Sequence, residues 1–136
     1  MPRLAFIIPG APVAWQRAGD MAKVVNGKPI VLHFTQKKTD TYESHVATIA
    51  KLATNRARWV PAKGARYALE LRIFRTYEGK GGDLDNYVKA LLDGMNAVLY
   101  VDDSQLRDLH VSLRQDRERP RVEVVISTMD VEALRA

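Results

Sequence analysis

The chain has 136 residues, no cysteine, 46% hydrophobic residues and a formal charge of +5 at neutral pH. That length and apolar content support a single domain, residues 1–136, with its own core, and the lack of cysteine excludes a disulfide framework or a cysteine-ligated zinc site. The excess of lysine and arginine favours polyanionic partners, because cationic groups release condensed counterions when they meet phosphates.

The opening MPRLAFIIPGAP has one basic residue and a short apolar run interrupted by Pro9. It is too short for a signal sequence or a membrane span and predicts a first strand, Leu4 to Pro9, in a soluble cytoplasmic protein with no membrane partner. Trp15 and Arg17 fall in the irregular stretch that follows. Val24–Val25 and Ile30–Phe34 flank Asn26-Gly27, a pair that accepts positive φ and so predicts a hairpin. Thr39 to Asn55 predicts a helix, capped near Thr39 or Asp40, with Tyr42, Val46, Ile49, Ala50 and Ala53 on one face. Tyr67 to Tyr77 alternates, Leu69, Leu71 and Ile73 inward against Glu70 and Arg72, as a half-buried strand does. A second helix is followed by strands Leu106–Leu113 and Arg121–Ser127, expected to close the domain as a hairpin. His110 is expected as a surface or packing residue, not a ligand, and His33 and His45 stand apart from any motif. These elements describe an α/β (α+β) fold: a mixed β-sheet with two main helices on one face.

The chemistry concentrates between Gly82 and Gln105, GDLDNYVKALLDGMNAVLYVDDSQ. Asp83 and Asp85, one residue apart, can present both carboxylates to one hard cation, and Asp102 and Asp103 offer a third ligand from the far end of the segment. Oxygen-only ligands suit magnesium or manganese, not zinc. Between the pairs, Val88, Leu91, Leu92, Met95, Val98 and Leu99 paint one helical face, with Asp85 as the expected N-cap. Lys89 lies one turn after Asp85, and Asp93 one turn later. A fourteen-residue helix spans ~21 Å, so Asp102 and Asp103 reach Asp85 only if Tyr100 and Val101 turn sharply and the next strand runs back along the helix. Taken singly, an Asp before a helix is a cap, Lys89 with Asp93 is a solvated pair, and Asp102–Asp103 is a turn. An EF-hand needs Gly at its sixth position and an acid at its twelfth; counting from Asp83 gives Val88 and Gly94.

The ordered landmarks Asp-x-Asp-Asn, a Lys four residues after the second Asp, Asp-Gly and Asp-Asp resemble the core signature of the RusA family of Holliday junction resolvases, small endodeoxyribonucleases common in phages and prophages. The resemblance is close over about a quarter of the chain. It implies Asp83, Asp85 and Asp103 as metal-binding catalytic carboxylates, Lys89 as the catalytic lysine, and Asp102 as a further member of the set. It also implies magnesium, with manganese able to substitute, and a homodimer with one acidic site per subunit acting on branched DNA, the four-way junction above all. A two-fold dimer suits a junction of approximately two-fold symmetry, because resolution needs two matched nicks. Gly81 and Gly82 depart from the family, whose members often carry a basic residue or proline before the first Asp, so Lys80 is the expected phosphate contact there. A junction-binding protein without catalysis, or a nuclease for forks and flaps, would use the same residues.

The basic residues are clustered. Lys37 and Lys38 precede the first helix, Arg56, Arg58, Lys63 and Arg66 follow it, and Arg114, Arg117, Arg119 and Arg121 crowd the last connection. With Lys80 and an acidic metal site between them, Lys37, Lys38, Arg114, Arg117, Arg119 and Arg121 are the expected DNA contacts, since carboxylates alone would repel the phosphates.

Overall fold

The computed structural model describes residues 2–16, 19–34, 37–79 and 81–135, with the backbone alone for 19–25, 29–34 and 37. Its elements in chain order are β1 (Arg3–Pro9), β2 (Gly19–Val25), β3 (Lys28–Phe34), α1 (Lys37–Ala57), β4 (Arg66–Arg75), α2 (Leu84–Met95), β5 (Leu106–Gln115) and β6 (Arg121–Met129). Strands β1, β6, β4 and β5 lie in that order in one sheet, and β2 pairs with β3 through the expected Asn26-Gly27 turn, both residues at positive φ.

One-sided burial places the helices. Tyr67, Leu69, Leu71 and Ile73 of β4 and Val122, Val124 and Ile126 of β6 are buried, while the residues between them are at least half-buried or exposed. The buried face meets Tyr42, Val46 and Ala50 of α1 and Tyr87, Ala90, Leu91 and Met95 of α2, so both helices cover the same side of the sheet. Gly94 is where they come closest: an added Cβ would stand 2.8 Å from Val46 Cβ and Cγ1 and 3.1 Å from the Glu43 carbonyl oxygen.

The expected closing hairpin is not formed. β5 lies parallel to β4, Leu69 opposite Leu109 and Ile73 opposite Leu113, and β6 lies antiparallel to β4 on its other edge. A parallel neighbour needs a crossover of a dozen or more residues, which α2 supplies. β4 thus meets β5 first, and residues 116–120 carry the chain across the end of β4, where the Asp116 N–H donates to the Arg75 carbonyl (2.9 Å). This topology gives the sheet two functional ends. The upper end holds the C-termini of β4 and β5 and the start of α2; the lower end holds the starts of β4 and β5.

α2 is shorter than its periodicity predicts. It stops at Met95, Asn96 is extended and Ala97 takes φ +63°, and Leu99 and Tyr100 are buried from the turn that follows. The Tyr100 hydroxyl donates to the Leu92 carbonyl (2.9 Å), and burial, with Asp103, Asp93 and Asp102 nearby, pushes its pKa up. At the lower end the buried Gln105 amide ties two connections together. Its Nε2 donates to the carbonyls of Ala62 (2.7 Å), Lys63 (3.2 Å) and Ala65 (2.9 Å), and its Oε1 accepts from the N–H groups of Val101 (2.8 Å) and Asp102 (3.1 Å).

Candidate metal centre

Asp83, not Asp85, occupies the N-cap of α2. Its carbonyl accepts from the Asn86 and Tyr87 N–H groups (3.1 and 3.2 Å), which starts the helix two residues earlier than expected, and its carboxylate makes no cap hydrogen bond. Asp85 lies in the first turn, with Oδ1 accepting from the Asn86 N–H (3.0 Å). Both carboxylates are exposed beside the free N–H groups of the helix start, whose dipole favours negative charge.

The chain reaches Asp83 through a tight approach. Gly81 has φ +101°, and a Cβ there would collide with the Tyr87 hydroxyl; one at Gly82 would collide with the Ala14 Cβ. This packing accounts for the two glycines where a larger residue was expected. Arg75 holds the same loop, its Nη1 donating to the Gly82 carbonyl and its Nη2 to Glu78 Oε1, both at 3.3 Å. Sequence reasoning missed this arginine, yet it continues the inward register of residues 67, 69, 71 and 73, where a charged residue is conspicuous.

Lys89 is exposed on α2, and its ammonium lies over the Trp15 ring, 4.8 Å from the centroid. Among the described ion pairs none joins it to Asp93. Trp15 is fixed in turn by its N–H donating to the Asn86 carbonyl (2.9 Å). Nothing in the sequence around Trp15 announced this role. Asp93 acts instead on Glu43, whose pKa is raised by burial, then by Asp93 and Asp40, against the lowering effect of Lys89.

Asp102 and Asp103 stand at the other end of the sheet. Asp102 caps a short 3-10 turn, Asp103–Gln105, with its carboxylate accepting from the Ser104 N–H (3.1 Å); the Ser104 hydroxyl first, and then this backbone bond, hold its pKa below the usual range. Leu106 follows at once, opposite Tyr67, whereas the Asp83 loop is tied to Arg75 at the far end of β4. Eight strand residues separate those levels, ~26 Å at about 3.3 Å each. The strand does run back along the helix, but it carries Leu113 and Arg114 to the level of Asp83, not Asp103. Among the described residues no three His, Cys, Asp or Glu side chains come together as a metal-holding group. The chain itself brings Asp83 and Asp85 together and leaves Asp103 and Asp102 apart from them.

Basic residues flank both acidic positions. At the upper end Arg114, Arg117 and Arg119 are exposed, Arg117 against the Tyr77 ring at 5.5 Å, and the exposed Lys38 opens α1 beside Pro9 and Gly10. Arg121 differs from them: it is packed over Phe74 (3.9 Å) and paired with Asp116 (2.8 Å) and Glu123 (3.2 Å), so it braces the connection between β5 and β6. Asp116, which also accepts from the Arg119 and Glu118 N–H groups, has its pKa lowered by these bonds. Lys80, Arg17 and the Lys37 side chain lie outside the described residues. At the lower end Lys63, Arg66 and Arg107 line a shallow groove with Asp102.

Residues 9–127 match the family model described as Endodeoxyribonuclease RusA. Over 44 residues the chain is 54% identical to the uncharacterized protein YqaN of Bacillus subtilis (strain 168), a match that covers 32% of this chain and 30% of that protein's length. No helix among the described residues is long and apolar enough to cross a membrane.

Proposed function

The chain belongs to the RusA endodeoxyribonuclease family, and from that premise we propose that it is a magnesium-dependent endonuclease that resolves four-way DNA junctions by paired nicks, working in the cytoplasm as a homodimer. The observation that carries this reading is the exposed pair Asp83 and Asp85 at the start of α2, with Lys89 one turn on and Arg114, Arg117 and Arg119 at the same end of the sheet.

Asp83 and Asp85 are hard oxygen donors on a fixed helix start, which fits magnesium or manganese. When bound, such a cation polarises the scissile phosphate and makes water easier to deprotonate. The residues of the chain do the rest. Arg114, Arg117, Arg119 and Lys38 draw the DNA backbone toward carboxylates that would otherwise repel it. Lys89, a compact point charge, faces the non-bridging oxygens and offsets the charge that builds on them during displacement. Trp15 confines that ammonium to one side of the helix, and Asn86 secures Trp15 through its carbonyl.

The test is Asp85→Asn, assayed on synthetic junction, fork, flap and duplex DNAs in magnesium with strand-resolved products. Cleavage of the junction is expected to vanish while the protein still folds and binds junctions. Wild-type nicking by the variant would remove Asp85 from the centre. Junction binding without nicking by the parent would make it a binding protein, and preferential cleavage of forks or flaps would reassign the substrate.

A further inference from the structure

The loop that delivers Asp83 also carries an aromatic ring that the core does not use. Tyr77 lies in residues 76–82, between the end of β4 and the start of α2; it is 52% exposed and, among the described residues, is absent from the side chains packed on the core. Its neighbours hold it in place. The Thr76 carbonyl accepts from Gln115 Nε2 (3.4 Å), and Glu78 Oε1 accepts from the Arg75 guanidinium, whose other terminal nitrogen donates to the Gly82 carbonyl, both at 3.3 Å. One guanidinium thus ties the residue after Tyr77 to the residue before Asp83, so the ring and the acidic pair belong to one fixed corner of the upper end. The Arg117 guanidinium lies over the ring, 5.5 Å from its centroid, and Arg114 and Arg119 are exposed at the same end. Among the described ion pairs none involves Arg117. A tyrosine ring left half in water on an anchored backbone gives up burial without gain to the fold, whereas a flat ring backed by a cation is a platform on which an unpaired nucleobase stacks.

We propose that Tyr77 receives an unpaired nucleobase at the branch point, next to the phosphate that meets Asp83 and Asp85, and that this stacking makes the protein prefer branched DNA to duplex. The inference rests on the junction reading given above and adds to it the group that senses structure. In a duplex every base is paired and stacked, so the ring has no base to receive, and phosphate contacts from the arginines are much the same on any DNA. Where strands exchange, a base leaves its pair and its stack at lower cost, and contact with Tyr77 then adds to the ionic contacts. Stacking tolerates every base, because each presents a flat π-face. Tyr77 therefore reads that a base is unpaired, not which base it is. Arg117, over the same ring, stands where the phosphate of that nucleotide would follow, so one ring and one cation hold one nucleotide.

Binding is measured in the Asp85→Asn background, which leaves the DNA uncut, on a synthetic four-way junction and on a duplex of the same sequence. Tyr77→Ala is expected to weaken junction binding about ten-fold, the scale of one lost base–aromatic stack, and duplex binding by less than about two-fold. Tyr77→Phe should bind as the parent does, and Tyr77→Leu, apolar but not flat, should lose nearly as much as Tyr77→Ala. The salt dependence of junction binding should keep its slope in Tyr77→Ala, because no cation has been removed. Abasic sites placed in turn around the exchange point locate the partner: at one position the missing base should cost the parent about ten-fold and cost Tyr77→Ala nothing further. Unchanged junction binding by Tyr77→Ala, equal losses on junction and duplex, or losses that add to those of every abasic site would each overturn the proposal. A slope flattened as by removal of a charge would overturn it as well, since the ring would then serve only to place Arg117. A parent chain that neither binds junctions nor nicks them in magnesium would instead overturn the junction reading, and this inference with it.

Discussion

Gly94→Ala probes the contact that sets α2, and with it Asp83, Asp85 and Lys89, against the rest of the domain. Two effects oppose each other. Alanine is favoured over glycine within a helix by up to about 1 kcal/mol. Against that, the new Cβ would stand 2.8 Å from two carbons of Val46 and 3.1 Å from a backbone oxygen of α1. Val46 is fully buried and β-branched, with no flexible end to swing aside, so the helices themselves must part. Overpacking of this kind costs about 1–3 kcal/mol, and the net expectation is a loss on the order of 1–2 kcal/mol. For a domain of this size that lowers Tm by roughly 4–8 °C. Urea denaturation should show a lower midpoint at unchanged slope. Gly64→Ala is the control: nothing lies within 4 Å of its added Cβ, and a gain of about 0.4–1 kcal/mol is expected from the unfolded state alone. If Gly94→Ala matched Gly64→Ala, the close approach of α1 and α2 would be wrong.

Trp15→Leu should slow single-turnover cleavage by about two- to five-fold, the equivalent of the ~0.5–1 kcal/mol of an exposed cation–π contact, and should have no effect in a Lys89→Ala background; a loss in both would make Trp15 a packing residue only. Arg117→Ala and Arg119→Ala should each flatten the salt dependence of junction binding by roughly 0.9 in logarithmic slope, whereas Arg121→Ala, which breaks the Asp116 and Glu123 pairs, should lower Tm and leave the slope alone. Glu43 has a raised pKa in the folded state, so its contribution is full below the ordinary glutamate range and is lost as pH rises through the raised value. Glu43→Gln should therefore raise Tm at neutral pH and lose that advantage below about pH 4; a difference independent of pH would show that burial and Asp93 do not act on this carboxyl.

Several elements were legible because a single face is buried. The alternation of residues 67–73 and the face of Tyr42, Val46 and Ala50 survive intact in the structure. The partner of β5 was not legible: Leu109, Val111 and Leu113 alternate identically beside a parallel or an antiparallel neighbour, and the short connection at residues 116–120 suits a hairpin equally well. The strand, helix, strand order from β4 to β5 was the available signal for a parallel pair. Helix limits failed for local reasons. Asp83 and Asp85 are chemically equivalent as caps, and Leu99 keeps its burial after the helix has ended, so periodicity runs past Met95. The carboxylates of the candidate centre were visible as residue types. Their distance was not, because it depends on which end of a parallel strand Asp103 precedes.

Gln105 gives the lower end a chemical polarity as well as a shape. Three carbonyls gather on one side of its amide and two N–H groups on the other, so the environment accepts only a group that donates in one direction and accepts in the other. Replacing the glutamine by glutamate barely alters volume, yet it removes both donors and sets a carboxylate against three carbonyl oxygens in a buried position. The segment carrying Asp102 and Asp103 would then detach from residues 62–65 while the rest of the sheet stayed folded. A Gln105→Glu chain would show this as faster amide exchange in the segment around Asp102 and Asp103 within a sheet that stays protected.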